Sequence, residues 1–318
     1  MTAAGPARNM TPSRRDFLKS ATLAAAAALA AAPSPALQPG LNAYSFNKLL
    51  NDAIRKRGAG ITLEGVLEFA AQNHFAAFDP TGYFFPGYPD PPADAYTDHL
   101  RRRAADLGIA LSGTGVRNNF TTADRALRAE GVSHIKQWVE VAARLGAPVL
   151  RVFADTQMRA QTWQSVSGGA PRADVLAWIS AALRECAEHA ARHRVKIGVQ
   201  NHGDFLRTGA QLLELVRVVD SEWCGPIVDT GYFRAADPYA EIALVAPHAV
   251  NWQIKQSVFG EESEIPTDLP HLVKIVRQSG YRGYLPIETL SPPGKPYDPF
   301  TVVPAFLKDL NAALAATV

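Results

Sequence analysis

The stretch KIGVQNHGDFLRTGAQLLELVRVVDSEWCGPIVD, residues 196–229, decides the fold. Lys196–Val199 is a short apolar run that ends in the polar Gln200-Asn201-His202-Gly203. Thr208-Gly209-Ala210-Gln211 carries the pattern in which two side chains cap a helix N-terminus, and Leu212, Leu215, Val216 and Val219 then recur at helical spacing. Pro226–Asp229 is a second short apolar run. Strand, helix and strand within about thirty residues form a parallel β/α/β unit. Its strands are covered on both faces and therefore lack the alternation of a half-exposed sheet.

Working outward, the same alternation repeats. Strands are expected at 41–46, 75–79, 109–113, 149–153, 249–255 and 284–287. Helices are expected at 62–74, 93–107, 124–145, 173–194, from Asp237-Pro238 onward, at 269–278 and at 302–316. Eight such units predict the α/β class and a single closed (β/α)8 barrel of parallel strands over residues 37–318. An open doubly wound sheet would carry GxGxxG after its first strand, whereas Gly113-Thr114-Gly115 follows the third and lacks the last glycine. Walker, GxSxG and HExxH motifs are absent. Proline-rich 86–92 reads as a βα loop, and 161–171 as a lid or a passive insertion. Cys186, on a helix, and Cys224, in a loop before a strand, read as buried free thiols outside any CxxC spacing.

Residues 1–36 form a leader. Ser13-Arg14-Arg15-Asp16-Phe17-Leu18-Lys19 precedes an Ala/Leu run from Ala21 to Ala32, and Ser34-Pro35-Ala36 follows as the expected cleavage site. The paired arginines resemble a twin-arginine signal, which implies a periplasmic or otherwise exported protein. The run is shorter than the ~20 residues a spanning helix needs, so no stable membrane insertion is expected after cleavage. The net charge of +2 is uneven, at +3 in the leader and −1 in the rest. A body without basic excess gives no reason to expect nucleic acid as a partner.

Barrels of this kind do their chemistry at the C-terminal ends of their strands. Gln200, Asp229, Gln253 and Glu288 cap strands five to eight. Neighbouring strands are ~4.8 Å apart, so these side chains can converge on one ion-sized point. Two carboxylates and two amides are hard oxygen donors suited to Mg²⁺, Mn²⁺ or Ca²⁺. Residues i and i+2 share a face, which places His202 with Gln200 and Lys255 with Gln253. His202 titrates near neutral pH, and Lys255 could act as a base if burial lowers its pKa. Tyr44, Phe46, Asp79, Tyr83, Arg117 and Asn118 lie at other strand ends as possible sugar contacts. Trp252 points away from Gln253, toward the helices. The seven other histidines show no shared spacing.

These strand ends resemble those of the xylose-isomerase-like barrel superfamily of sugar phosphate isomerases and epimerases, over essentially all of residues 41–318. The resemblance rests on Asn201-His202-Gly203 after strand five, Asp229-Thr230-Gly231 after strand six, Lys255 after strand seven and Glu288 ending strand eight. It implies a metal set of Asp229 and Glu288 with the residues at 200 and 253, and a substrate contact at Asn201. The chain departs from the family where Gln200 replaces a glutamate and Gln253 a histidine. An amide cannot exchange a proton near neutral pH, so a two-glutamate epimerase mechanism cannot run unchanged. Expected catalytic residues are Glu288, His202 and Lys255, with Mn²⁺ or Mg²⁺ as cofactor and a small carbohydrate as partner. The expected reaction is proton abstraction next to a carbonyl, in an isomerase or epimerase acting on a non-phosphorylated sugar or keto-sugar. No clear Lys/Arg phosphate cradle is visible. The alternatives are a lyase performing β-elimination on 3-keto-glycosides and a non-catalytic sugar-binding barrel.

Overall fold

The computed structural model describes residues 1, 37–154, 156, 161–259, 264–291, 294 and 296–316. The leader, residues 2–36, lies outside the described residues.

Strands β1 (Gln38–Asn42), β2 (Ala77–Asp79), β3 (Ala110–Leu111) and β11 (Tyr284–Ile287) pair in parallel in the order β11-β1-β2-β3. A second parallel run holds β4 (Thr114–Gly115), β5 (Val149–Phe153), β6 (Lys196–Gln200), β7 (Cys224–Asp229) and β8 (Asn251–Gln253) in chain order. Parallel bridges Thr81↔Gly115 and Ile254↔Ile287 join the two runs at both edges. The sheet thus curls into a closed barrel of eight strand positions, the third split into β3 and β4.

Helices α1 (Asn47–Ile54), α2 (Leu63–Gln72), α3 (Asp94–Asp106), α4 (Arg125–Leu145), α5 (Trp163–Val166), α6 (Arg172–His193), α7 (Gly209–Val219), α8 (Pro238–Val245) and α9 (Leu269–Gln278) lie between the strands in sequence, and α10 (Pro299–Ala316) follows the last strand. Helix α4 shows why they form. The Asp124 carboxylate accepts from the Ala126 and Leu127 amides, Gly146 ends the helix in the left-handed region, and Ile135, Trp138, Val139 and Ala142 are fully buried. Each large apolar side chain so buried stabilises the fold by roughly 1.5–3 kcal/mol. In β5, Leu150 and Val152 join the core between sheet and helices, so Val149, Arg151 and Phe153 face the barrel interior by the two-residue period. Trp252 joins the same outer core, as expected, and packs edge-on against Tyr281.

Several expected boundaries change. The first strand ends at Asn42, whose side chain accepts from the Tyr44 amide and turns residues 43–46 into a 3-10 helix. The seventh strand is only Asn251–Gln253, and Cys224 begins a strand instead of preceding one. Helix α1 and an antiparallel hairpin of β9 (Ser257–Phe259) with β10 (Glu264–Pro266) were not foreseen. The 161–171 segment contains α5, whose Trp163 amide is tied to Asp204 and whose Trp163 ring meets Phe205. Cys186 and Cys224 are buried free thiols, as the sequence suggested. Among the described residues no helix is long and apolar enough to cross a membrane.

Candidate active site

A cavity of about 240 Å³ opens at the C-terminal ends of the strands. Gln200, His202, Tyr232, Gln253, Lys255 and Glu288 line one part of it, while Tyr44, Tyr83, Arg117 and Arg151 line another. Gln200, His202, Gln253, Lys255 and Glu288, all expected from the sequence, therefore meet there with Tyr44, Tyr83 and Arg117, although β6 and β8 stop short of His202 and Lys255.

Lys255 is the hub. Its ammonium contacts Glu288 Oε1 directly and lies 3.4 Å from Asp229 Oδ2, with all three residues buried. Its backbone is clamped by the Thr230 hydroxyl, which accepts from the Lys255 amide at 2.9 Å, and by Thr267, which donates to the Lys255 carbonyl at 2.7 Å. A Cβ on Gly231 would stand 2.7 Å from Lys255 Cγ, so only glycine at this place lets the lysine stem pass. Burial opposes the charge on Lys255, but Asp229 and Glu288 outweigh it and hold the pKa above its ordinary value. The expectation of a burial-lowered lysine base is thereby corrected. Lys255 is a fixed cation.

Both glutamines act as donors. Gln200 Nε2 donates to Asp229 Oδ2 at 2.5 Å. The Gln253 orientation that satisfies its neighbours donates to Asp229 Oδ2 at 3.1 Å and Glu288 Oε2 at 3.2 Å while accepting from Asn42 at 3.2 Å. Burial pushes the Asp229 carboxyl up to about 6 against the pull of Lys255.

This arrangement does not fit the divalent cation that the resemblance implies. The carboxylate oxygens meet N–H donors from Lys255, Gln200 and Gln253, and an ammonium already stands between the two acids. The four expected ligands do come together, but around a lysine.

His202 lies against Phe153 and stacks on Tyr232 at 4.2 Å. Burial, and then the nearby Lys255 and Arg151 charges, drive its pKa down to about 3. It stays neutral at physiological pH and does not titrate there as expected. Asp79 and Asn201 do not line the cavity. Asp79 accepts from Asn251 Nδ2 at 3.3 Å, and burial pushes it to about 7. Asn201 exchanges two 3.0 Å hydrogen bonds with the Asp229 backbone, fastening β6 to β7. Phe46 packs against Phe69 and Phe300, and Asn118 bonds both ways to the Phe153 backbone. Both are structural.

Arg151 and Tyr232 were not foreseen. Arg151 sits mid-strand in an apolar run, and only the inward phase of β5 could have flagged it. Arg117 and Arg151 both lie over the Tyr83 ring, at 4.5 and 5.1 Å. The histidines also share a spacing after all. His189 and His193, four apart on α6, lie with ring centroids 4.7 Å apart beside Glu140 of α4, with one ligand atom of each within 4.8 Å of the others. That trio belongs to the outer helices.

No curated protein matches the sequence. Among solved structures, D-psicose 3-epimerase crystallised with D-fructose aligns with TM-score 0.68 and 16% identity over 88% of this chain and 98% of its own. The 3-keto-D-glucoside 4-epimerase from E. coli aligns at 0.66 and 14%, over 87% and 99%. The IOLI protein, solved with a zinc atom, aligns at 0.66 and 14%, over 88% and 98%. The chain also spans 43% of a longer fusion of a xylose isomerase-like TIM barrel with 4-hydroxyphenylpyruvate dioxygenase. The family model described as xylose isomerase-like TIM barrel matches residues 67–309, covering β/α units two to eight and every cavity residue but Asn42 and Tyr44. By fold, strand-end positions and sequence match together, the chain belongs to the xylose isomerase-like TIM barrel family.

Proposed function

We propose that the cavity is the active site of a sugar isomerase or epimerase-like enzyme that abstracts a proton next to the carbonyl of a keto-sugar. The observation that carries this reading is the buried Lys255–Glu288 contact opening onto the cavity above Asp229. A substrate carbonyl entering beside Lys255 finds an ammonium donor, while Glu288 offers a carboxylate to the adjacent C–H. The C–H proton passes to Glu288, the electron pair becomes the enolate, and Lys255 stabilises the oxygen that gains charge. Glu288 then returns the proton to the former carbonyl carbon while the proton of the adjacent hydroxyl passes to the enolate oxygen, so that the carbonyl moves to the neighbouring carbon and the isomerisation is complete. Asp229 keeps Lys255 charged and aimed, and Gln200 and Gln253 hold the two acids apart. No step is routed through a metal.

Gln200 leaves a single carboxylate facing the cavity, which favours proton return on one face over a two-base epimerisation. β-Elimination from a 3-keto-glycoside shares the first step. The similarity to enzymes of psicose and of a 3-keto-glucoside supports a keto-sugar as substrate class. Residues 1–36 are proposed to direct export, which favours a non-phosphorylated substrate outside the cytoplasm. The test is solvent-deuterium incorporation into a panel of keto-sugars. Glu288→Gln should lower exchange by roughly 10²–10⁴-fold. Exchange that survives in this variant would remove Glu288 from the mechanism.

A further inference from the structure

Arg151 is the least explained charge in the barrel. It is 6% exposed, its Nη1 donates to the Val116 carbonyl at 3.4 Å, its side chain also hydrogen-bonds Tyr83, and its Cζ lies over the rings of Phe153 at 4.4 Å and Tyr83 at 5.1 Å. Among the described residues no carboxylate forms a salt bridge with it. The carboxyl of Asp79 is bonded to Asn251 instead. Tyr83, Asp79 and Glu288 nonetheless favour its charged form over the cost of burial, so a guanidinium is held at the cavity wall without a carboxylate in direct contact.

The protein also makes room for this group. A Cβ on Gly115 would fall 2.5 Å from Arg151 Nε and 2.7 Å from Nη2, so the absence of a side chain at Gly115 is what lets the guanidinium lie at the cavity wall. Arg117, exposed, also lies over the Tyr83 ring, at 4.5 Å. Two guanidiniums thus lie within about 5 Å of one tyrosine ring on the wall of the cavity that also holds Lys255 and Glu288.

We infer that the Arg151–Arg117 pair is an oxyanion subsite, and that the substrate is a keto-sugar acid whose carboxylate binds there while its carbonyl end meets Lys255. This rests on the reading of the cavity as a keto-sugar site. A planar guanidinium presents paired N–H donors that match a carboxylate bidentately. Lys255, held between Asp229 and Glu288, is left for the carbonyl end of the substrate.

The experiment compares D-fructose, its 6-carboxylate and D-fructose 6-phosphate, by calorimetry and by solvent-deuterium exchange, on wild type, Arg151→Met and Arg117→Gln. The 6-carboxylate should bind wild type roughly 10- to 100-fold more tightly than D-fructose, and Arg151→Met should abolish that preference. Arg117→Gln, an exposed change, should reduce the preference and decides the matter if Arg151→Met does not fold. Equal binding of the neutral and anionic ketoses by wild type would overturn the subsite, as would an unchanged preference in the Arg117→Gln variant when Arg151→Met is unfolded. Tighter binding of the 6-phosphate would overturn the carboxylate assignment. Exchange without charge preference would sink this inference and leave the proton-abstraction reading standing, whereas charge-selective binding without exchange in any ketose would do the reverse.

Discussion

Replacing Lys255 by alanine tests whether an ammonium has taken the place of the family's metal. In the wild type, Lys255 touches Glu288 and lies 3.4 Å from Asp229, so two carboxylates and one ammonium carry a net charge of −1. Lys255→Ala removes the cation and leaves two buried acids facing each other through the glutamine amides. Breaking a buried pair by deleting one partner costs about 3–5 kcal/mol. At roughly 2–4 °C of melting temperature per kcal/mol, a fall of about 6–20 °C is expected without added metal. The cavity then holds two carboxylates and two amides with no internal cation, which is a hard-oxygen set for Mn²⁺. Mn²⁺ should therefore bind the variant and rescue it, by about 2.7 kcal/mol when free metal reaches a hundred times its dissociation constant. Wild type should show neither binding nor rescue from this site. The assay is calorimetry with Mn²⁺ beside thermal melts with and without it. The His189/His193/Glu140 trio is removed in both proteins by His193→Ala, so that only the strand-end site is read. Strong Mn²⁺ binding by the His193→Ala protein with Lys255 intact would refute the reasoning, as would a Lys255→Ala protein indifferent to metal.

Asp79→Asn should stabilise the protein at pH 8 by up to about 4 kcal/mol. The sign follows from a folded pKa raised from 3.8 to about 7, since that contribution is fully present below pH 3.8 and lost as pH rises through 7. Urea melts should show the slope between pH 4 and 7 flatten in the variant. A wild type whose stability does not fall across that window would place the Asp79 carboxyl elsewhere. Gln200→Glu exchanges the donor 2.5 Å from Asp229 for a third carboxylate, and turnover on the best keto-sugar should fall. A faster variant would make the natural protein an epimerase that has lost one base. For export, residues 1–40 fused to a reporter should send it across the inner membrane, and replacing Arg14 and Arg15 by lysine should stop it. Unchanged export would remove the twin-arginine assignment.

Much of the barrel was readable because its signals are local. The 3.6-residue stripe of α4, the capping pattern at Thr208–Gln211 and the apolar runs of β5 and β11 each depend on neighbours within one or two turns. The boundaries that moved were settled by partners from elsewhere. The first strand turns at Asn42 because that side chain caps residues 43–46 and also accepts from Thr81, 39 residues away. The third strand splits because its two halves pair with different runs of the sheet.

For the site, the chain by itself determined which residues arrive. Strand periodicity brings Gln200, Gln253, Lys255 and Glu288 to one mouth, and the resemblance marks Gln200 and Gln253 as departures. What each group does was decided only in three dimensions. Charge state depends on distances that sequence does not contain, so Lys255 stays an ammonium beside two acids while His202 is driven neutral by burial and nearby cations. Arg151 is a residue in an apolar strand until folding lays it over Tyr83, in the space that Gly115 leaves open beside the cavity. Periodicity carries a side chain to a face of the barrel, but electrostatics belongs to the set of neighbours that meet there, and only the closed sheet assembles that set.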